Sequence, residues 1–454
     1  MTVLSATELE SKIGIRVYGT SEPGVGGSVR STPEDFVVQE VLLNNEVAEI
    51  APTSPQTLEG TGNFLLCTLT KSGHDTLSAL HELSRALNIS QKRISIAGLK
   101  DQRALTAQHI TLRHMEAKHL MTMRARGLHI TPIRYINEPL TARSLLGNRF
   151  TIRMRNIAVS HEELNTSITR LVAEIDQLGG IPNFYGYQRF GTIRPITHII
   201  GKHIVKREFE QAVLTYITTL SLNELPHTRD AKLEFLQARN ARASLLTYPH
   251  TLRYERILLG YLSRNPDDYV GALRKLPIRL RRLLVNAYES LLFNEFLSER
   301  ALRGLPLNSV CEGDYVMDLD DDGLPTGNVK MVKANSLEAA HESMKKGKLT
   351  LALPVVGYAT RLSDGLQGDI EKKILERECV EPRSFYVGPL HEASSSGKYR
   401  PALVRMKNFE ARTERGENAQ KSNVVLRFFL PKESYATIVL REIMKPKDVI
   451  KAGF

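Results

Sequence analysis

Residues 97–113, "AGLKDQRALTAQHITLR", join two textures, a glycine-led polar turn around Asp101 and a run, "AQHITLR", with the β-branched character of a strand. Reading outward gives more of the same. "EDFVVQEV" (Glu34 to Val41) and "NFLLCTLT" (Asn63 to Thr70) are short strand-like runs bounded by Pro, Gly and Asn. Between them and the opening stretch, "HDTLSALHELSRALNI" repeats Leu77, Leu80, Leu83, Ala86 and Leu87 at helical spacing, with Asp75 placed to cap the start. "NRFTIRMRNI" (Asn148 to Ile157) is strand again. The texture then turns helical in "EELNTSITRLVAEIDQL", "KREFEQAVLTYITTL" and "RLRRLLVNAYESLLFNEFLSERAL", the last with Leu284, Tyr288, Leu291, Leu292 and Phe296 on one core-facing stripe. "NVVLRFFLP" (Asn423 to Pro431) returns to strand, followed by a helical "KESYATIVLREIMK" in which Ser434 is the candidate N-cap. The pattern predicts an α+β chain: a mixed-sheet domain interrupted by a largely helical insertion.

Composition narrows what such a chain does. Its 454 residues suggest about two or three domains. With 61 Lys and Arg against 50 Asp and Glu, the formal charge is +11, which favours a polyanionic partner and nucleic acid first. Cys67, Cys311 and Cys379 are widely spaced and odd in number, which argues against a disulfide framework and for a cytoplasmic home. The opening "MTVLSATELESKIGI" lacks the basic and apolar regions of a signal peptide, and no apolar run nears the ~20 residues of a membrane span.

Familiar cofactor signatures are missing. The glycine cluster "EPGVGGSVR" (Glu22 to Arg30) follows no clear strand and opens no helix, so it reads as a plain loop and not a nucleotide cradle. The 13 histidines show no metal-ligand spacing, and no metal or other cofactor is expected. Asp101 is ambiguous on local chemistry alone. Gly, Lys, Asp and Gln are ordinary turn residues. Yet an ionised carboxylate can also serve as nucleophile or general base without a second carboxylate or a metal.

Its company resolves the ambiguity. "GLKDQRALTAQ" resembles the G-x-K-D-x-x-A-x-T-x-Q signature of TruD-type tRNA pseudouridine synthases at every fixed position. "RSTPEDFVVQE" (Arg30 to Glu40) resembles that family's first motif, and "LLGNRFTIRMRN" its G-N-x-F motif at Gly147, Asn148 and Phe150. "PNFYGYQRFG" (Pro182 to Gly191) resembles the P-N-[YF]-[YF]-G-x-Q-R-F-G motif, and "LPKESYATIVLRE" the closing segment, with Lys432 and Glu433 where the family has Pro and Gly. These motifs stand in family order between residues 30 and 442.

The resemblance implies a pseudouridine-synthase-type catalytic domain at 1–180 and 386–454, interrupted by a TRUD insertion domain at 181–385, with a cleft for tRNA helped by the insertion. It implies isomerisation of a tRNA uridine, usually position thirteen of the D arm, with Asp101 as the essential aspartate and no cofactor. Arg30 matches the family's basic residue; a cation beside Asp101 would favour the ionised carboxylate, and its alternative is a phosphate contact or a solvated charge. Phe150 is the candidate stacking residue for a flipped uracil and Asn148 a polar contact, although a Phe alternating with Ile152 on a strand also fits a core position. Lys100, adjacent to Asp101, would point the other way in an extended segment and ranks below Arg30. No obligatory protein partner and no membrane are expected.

Overall fold

The computed structural model describes residues 6–50, 58–121, 125, 127–221, 224–416 and 421–454. Residues 1–5, where the stretch read for a signal peptide begins, lie outside them. Strands run in chain order as β1 (Phe36–Leu42), β2 (Phe64–Ser72), β3 (Ile94–Ile96), β4 (Leu105–Arg113), β5 (Leu128–Ile136) and β6 (Leu145–Ile157). They continue as β7 (Ile181–Pro182), β8 (Tyr315–Leu319), β9 (Pro325–Met331), β10 (Leu349–Val355), β11 (Lys398–Pro401), β12 (Leu403–Val404), β13 (Lys407–Arg415) and β14 (Ser422–Pro431). The fold is α+β.

The chain divides into two compact units: Glu22–Glu174 with Arg405–Phe454, and the segment ending at Ser21 with Ile175–Val404. The sequence expectation of 1–180 with 386–454 around 181–385 cuts the chain elsewhere, and strand pairing explains the difference. Residues 398–404 form β11 and β12, which pair with β10 and β7. The stretch before Ser21 packs against the long helix Ile278–Leu302, where Asn294 Nδ2 donates to the Ile13 carbonyl at 2.9 Å and Ser298 Oγ to that of Gly14 at 2.7 Å.

The first unit is built on an eight-stranded sheet in the order β13-β14-β6-β1-β4-β2-β5, with β3 added beside β4. β1 and β4 run parallel, and the other neighbours are antiparallel. On one face of β2 and β4, Leu65, Cys67, Leu69, Ile110 and Leu112 pack with Leu83 of the helix Thr76–Ala86, whose first turn is capped by Asp75 accepting from Ser78 N at 3.0 Å. The expected Leu77 of that helix is instead 55% exposed, because its position falls off the buried stripe.

The closing helix begins later than its sequence suggests. It spans Ala436–Met444 with Tyr435 at the N-cap and no side-chain cap bond, so Ser434 does not cap it. Glu433, which stands where the resembled closing motif has glycine, takes the left-handed region at φ 68°, a conformation that costs a residue with a Cβ.

The second unit is largely helical. In its long helix Ile278–Leu302 four residues of the expected stripe, Leu284, Tyr288, Leu292 and Phe296, are fully buried, while the fifth, Leu291, is half-buried. A four-stranded antiparallel sheet, β11-β10-β8-β9, accompanies it. The 182–191 motif is an anchor here: Tyr185 lies under the guanidiniums of Arg400 at 4.2 Å and Arg189 at 5.3 Å, while the Asn294 amide accepts from Tyr185 N and donates to its carbonyl. Among the described residues no helix is long and apolar enough to cross a membrane.

Candidate active site

Parallel pairing of β1 and β4 decides where the site lies. With Val37 opposite Leu105, the segments leading into these two strands, one carrying Arg30 and the other Asp101, emerge at the same end of the sheet. There Arg30 Nη2 donates to Asp101 Oδ2 at 2.7 Å. The arginine side chain is 4% exposed and the aspartate side chain 41%, so the pair is a buried cation presenting a carboxylate to solvent. Arg30 is held on its other sides as well. Its Nη1 donates to the Gly453 carbonyl at 3.1 Å, and its guanidinium lies 4.2 Å over the ring of Phe36, the first residue of β1. Burial lowers the Arg30 pKa from its ordinary value, with the Asp101 charge opposing that shift and Arg103 adding to it.

Lys100 does point away from Asp101. Its Nζ makes a buried ion pair with Glu40 Oε2 on β1 at 2.5 Å, and Glu40 Oε1 accepts from the His109 amide at 3.2 Å. The two charged residues of the motif thus have separate partners, Glu40 for Lys100 and Arg30 for Asp101.

The backbone of the loop is tied down by residues from elsewhere in the unit. Thr76 Oγ1 accepts from Lys100 N at 2.8 Å and lies 3.2 Å from both the Lys100 carbonyl and Gln108 Oε1. Gln108 Nε2 donates to the Gly98 carbonyl at 3.2 Å, so the last fixed residue of the motif, on β4, holds its first. Lys71, at the end of β2 and fully buried, donates to the carbonyls of His74 at 2.7 Å, Lys100 at 3.3 Å and Asp101 at 2.8 Å. Its burial lowers the amine to about 8, against the raising influence of Asp101 and Asp75 and with Lys100 lowering it further.

Asn148 and Phe150 lie on β6, opposite Glu40 and Val38 of β1, so they share the sheet face that carries Glu40. The Asn148 Oδ1 atom is buried with no hydrogen-bond partner among the described residues. Phe150 is 6% exposed; its ring stacks on Phe428 of β14 at 5.4 Å and meets Phe36 edge-on at 6.3 Å. Its place is therefore a mostly covered aromatic wall continuous with Phe36 and, through it, with the Arg30 guanidinium. The glycine of this motif has a packing reason: a Cβ on Gly147 would stand 2.2 Å from the Leu430 carbonyl of β14.

Several residues of this cluster escape a reading by motif. Lys71 follows the apolar run of β2 as an ordinary strand-end lysine would, and only its complete burial reveals it. Phe36, Glu40 and Gln108 sit inside quoted motifs, yet their contacts with Arg30, Lys100 and Gly98 follow from strand register, which a single sequence does not disclose. Among the described residues no group of three or more His, Cys, Asp or Glu side chains is arranged to hold a metal ion.

A parallel-paired strand entry with a buried arginine clamping an exposed aspartate defines a candidate carboxylate-dependent enzyme. Comparison with known proteins supplies the family. The sequence model described as tRNA pseudouridine synthase D (TruD) matches residues 12–443. A probable tRNA pseudouridine synthase D of Methanosarcina mazei is 37% identical over 97% of this chain and 98% of its own, and one of Archaeoglobus fulgidus is 34% identical over 96% and 99%. The crystal structure of a putative tRNA pseudouridine synthase D (TruD) from M. mazei superposes with a TM-score of 0.81 at 36% identity, covering 97% of this chain and 99% of that one. The chain belongs to the TruD family of tRNA pseudouridine synthases, isomerases acting on uridine in tRNA.

Proposed function

We propose that this chain converts the uridine at position thirteen in the D arm of tRNA to pseudouridine, with Asp101 as the acting carboxylate and no cofactor, in the cytoplasm. The observation that carries the reading is the ion pair between buried Arg30 and the solvent-facing carboxylate of Asp101. The reaction breaks the bond between uracil N1 and ribose C1′ and joins C1′ to C5, which releases the C5 hydrogen as a proton. It consumes no water and no redox equivalent. Asp101 either attacks the sugar or removes a proton from it, and each route labilises the glycosidic bond with one carboxylate.

A base inside folded RNA must be extruded to reach Asp101, and the extruded base needs an apolar surface and an edge contact. Phe150 is the candidate for the first, at 6% exposure beside Phe36 and Phe428 with little of its surface free. Asn148 offers the second, since its buried and unpartnered Oδ1 is an acceptor for an N–H of the uracil edge. In this reading the unit containing Asp101 is the catalytic domain and the helical unit the TRUD insertion.

The test is tritium release from tRNA labelled at uracil C5. Asp101→Asn is expected to bind tRNA nearly as wild type and to release no tritium; release at the wild-type rate overturns the assignment. The target position is checked separately by mapping pseudouridine in tRNA from cells lacking the protein, where position thirteen is expected to remain uridine.

A further inference from the structure

We infer that Lys71 is a positioning residue for this reaction, its ammonium fixing the backbone of residues 100–101 and thereby the direction in which the Asp101 carboxylate is presented. The inference rests on the reading of Asp101 as the acting group. An ammonium has three N–H donors and no acceptor, and Lys71 Nζ meets three carbonyls, those of His74, Lys100 and Asp101. No donor is left over, and the carboxylates that face it are committed elsewhere, Asp101 to Arg30 and Asp75 to Ser78 at the start of the helix. A fully buried lysine is costly to a fold and rare without an ion-pair partner. Here it spans the end of β2, the turn before the helix Thr76–Ala86 and the loop before β4, three pieces of chain that meet at Asp101.

The remaining anchors of the loop do not replace it. Thr76 and Gln108 hold Lys100 N and the Gly98 carbonyl, upstream of the aspartate. Lys71 alone among the described hydrogen bonds touches the backbone of Asp101 itself. Arg30 fixes the far end of the side chain, at Oδ2, so Lys71 and Arg30 secure opposite ends of one residue. The charged groups facing the Lys71 ammonium are Asp101 and Asp75, which favour its charge, and Lys100, which opposes it.

With burial holding the amine at about 8, deprotonation removes one of three donors and the charge within an accessible pH range. The experiment compares full-length wild type, Lys71→Met and Asp101→Asn in C5-tritium release from tRNA between pH 6.5 and 9.5, a range chosen to bracket roughly one and a half units either side of that value. Lys71→Met keeps an unbranched side chain one heavy atom shorter and lacks every donor. It is expected to lower kcat on the order of 10²-fold with KM for tRNA within about threefold, as a displaced catalytic group does. Wild-type kcat is expected to decline above about pH 8, and the variant's to lack that limb. A Lys71→Met kcat within about threefold of wild type overturns the inference. If that variant does not fold, Lys71→Gln takes its place, and a kcat within about threefold of wild type overturns the inference in the same way. Asp101→Asn keeps the two readings apart: wild-type release by that variant removes the catalytic assignment itself, whereas an inactive Asp101→Asn beside a fully active Lys71→Met removes only the role of Lys71.

Discussion

At the scale of single residues, the site is a set of partners drawn from distant positions around one exposed carboxylate. Arg30 holds its outer end: it is buried, donates to no other carboxylate among the described residues, and lies against Phe36 in a left-handed backbone conformation at φ 59°. Arg30→Met should leave a folded protein whose kcat falls on the order of 10²-fold, with KM for tRNA changed less than about threefold; steady-state tritium release measures both. An unchanged kcat would show that the charge is not needed at Asp101. Lys71 adds a contrast of sign. Its amine is lowered from 10.5 to about 8 in the folded chain, so between those values the unfolded state holds more protons. This group's contribution to stability therefore increases with pH across that window, while activity declines, and a loss of turnover just above pH 8 is not an unfolding effect of Lys71. In sequence, Asp101 is flanked by Lys100 and Arg103; in space its nearest fixed cation is Arg30. Arg30 and Asp101 stand out in the sequence because both are fixed motif positions, whereas nothing there marks Lys71, whose proposed role depends on its burial beneath three carbonyls.

At the scale of elements, strand register converts motifs into geometry. Periodicity and turn residues made several elements legible: the helix capped by Asp75, the strands β1, β2, β4, β6 and β14, and the long helix Ile278–Leu302 all lie within a few residues of their sequence ranges. Pairing was not legible, because alternation along one strand carries no record of its neighbours. The β1–β4 parallel contact, which brings Arg30 to Asp101, is long-range and leaves no local mark. Neither does the close approach of β6 to β14, where Gly147 faces Leu430 and Phe429. Gly147→Ala forces a Cβ to within 2.2 Å of the Leu430 carbonyl, so the strands must part or shift. The substitution should lower unfolding free energy by about 1–3 kcal/mol, the usual range for overpacking, and urea denaturation followed by far-UV circular dichroism reads the change. A midpoint equal to wild type would mean that β14 yields at this point without cost. Asn148 and Phe150, one and three residues further along β6, should lose activity along with stability, since their positions on the sheet face depend on the same register.

At the scale of the whole molecule, two compact units make up a chain whose formal charge is +11. The change of texture near residue 162 marks the helix His161–Leu178, most of which belongs to the sheet unit ending at Glu174, and the return point left no mark because β11 and β12 are short strands that declare their unit only through β10 and β7. The charge bears on binding and not on the chemistry at Asp101. Each phosphate that a Lys or Arg neutralises releases condensed counterions, so the logarithm of tRNA affinity should fall linearly with the logarithm of salt concentration. Several phosphate contacts are enough for a loss of at least about tenfold between roughly 50 and 200 mM salt. The Arg30–Asp101 pair is mostly shielded on the arginine side, and such pairs are screened far less than surface charges. The two effects therefore separate in one titration: KM for tRNA should climb steeply with salt while kcat at saturating tRNA changes by less than about twofold. Filter binding and tritium release over the same salt series measure the two quantities side by side. A kcat that fell in step with affinity would mean that the site itself is assembled by screenable charges, and the buried clamp on Asp101 would then be insufficient to hold the carboxylate in place.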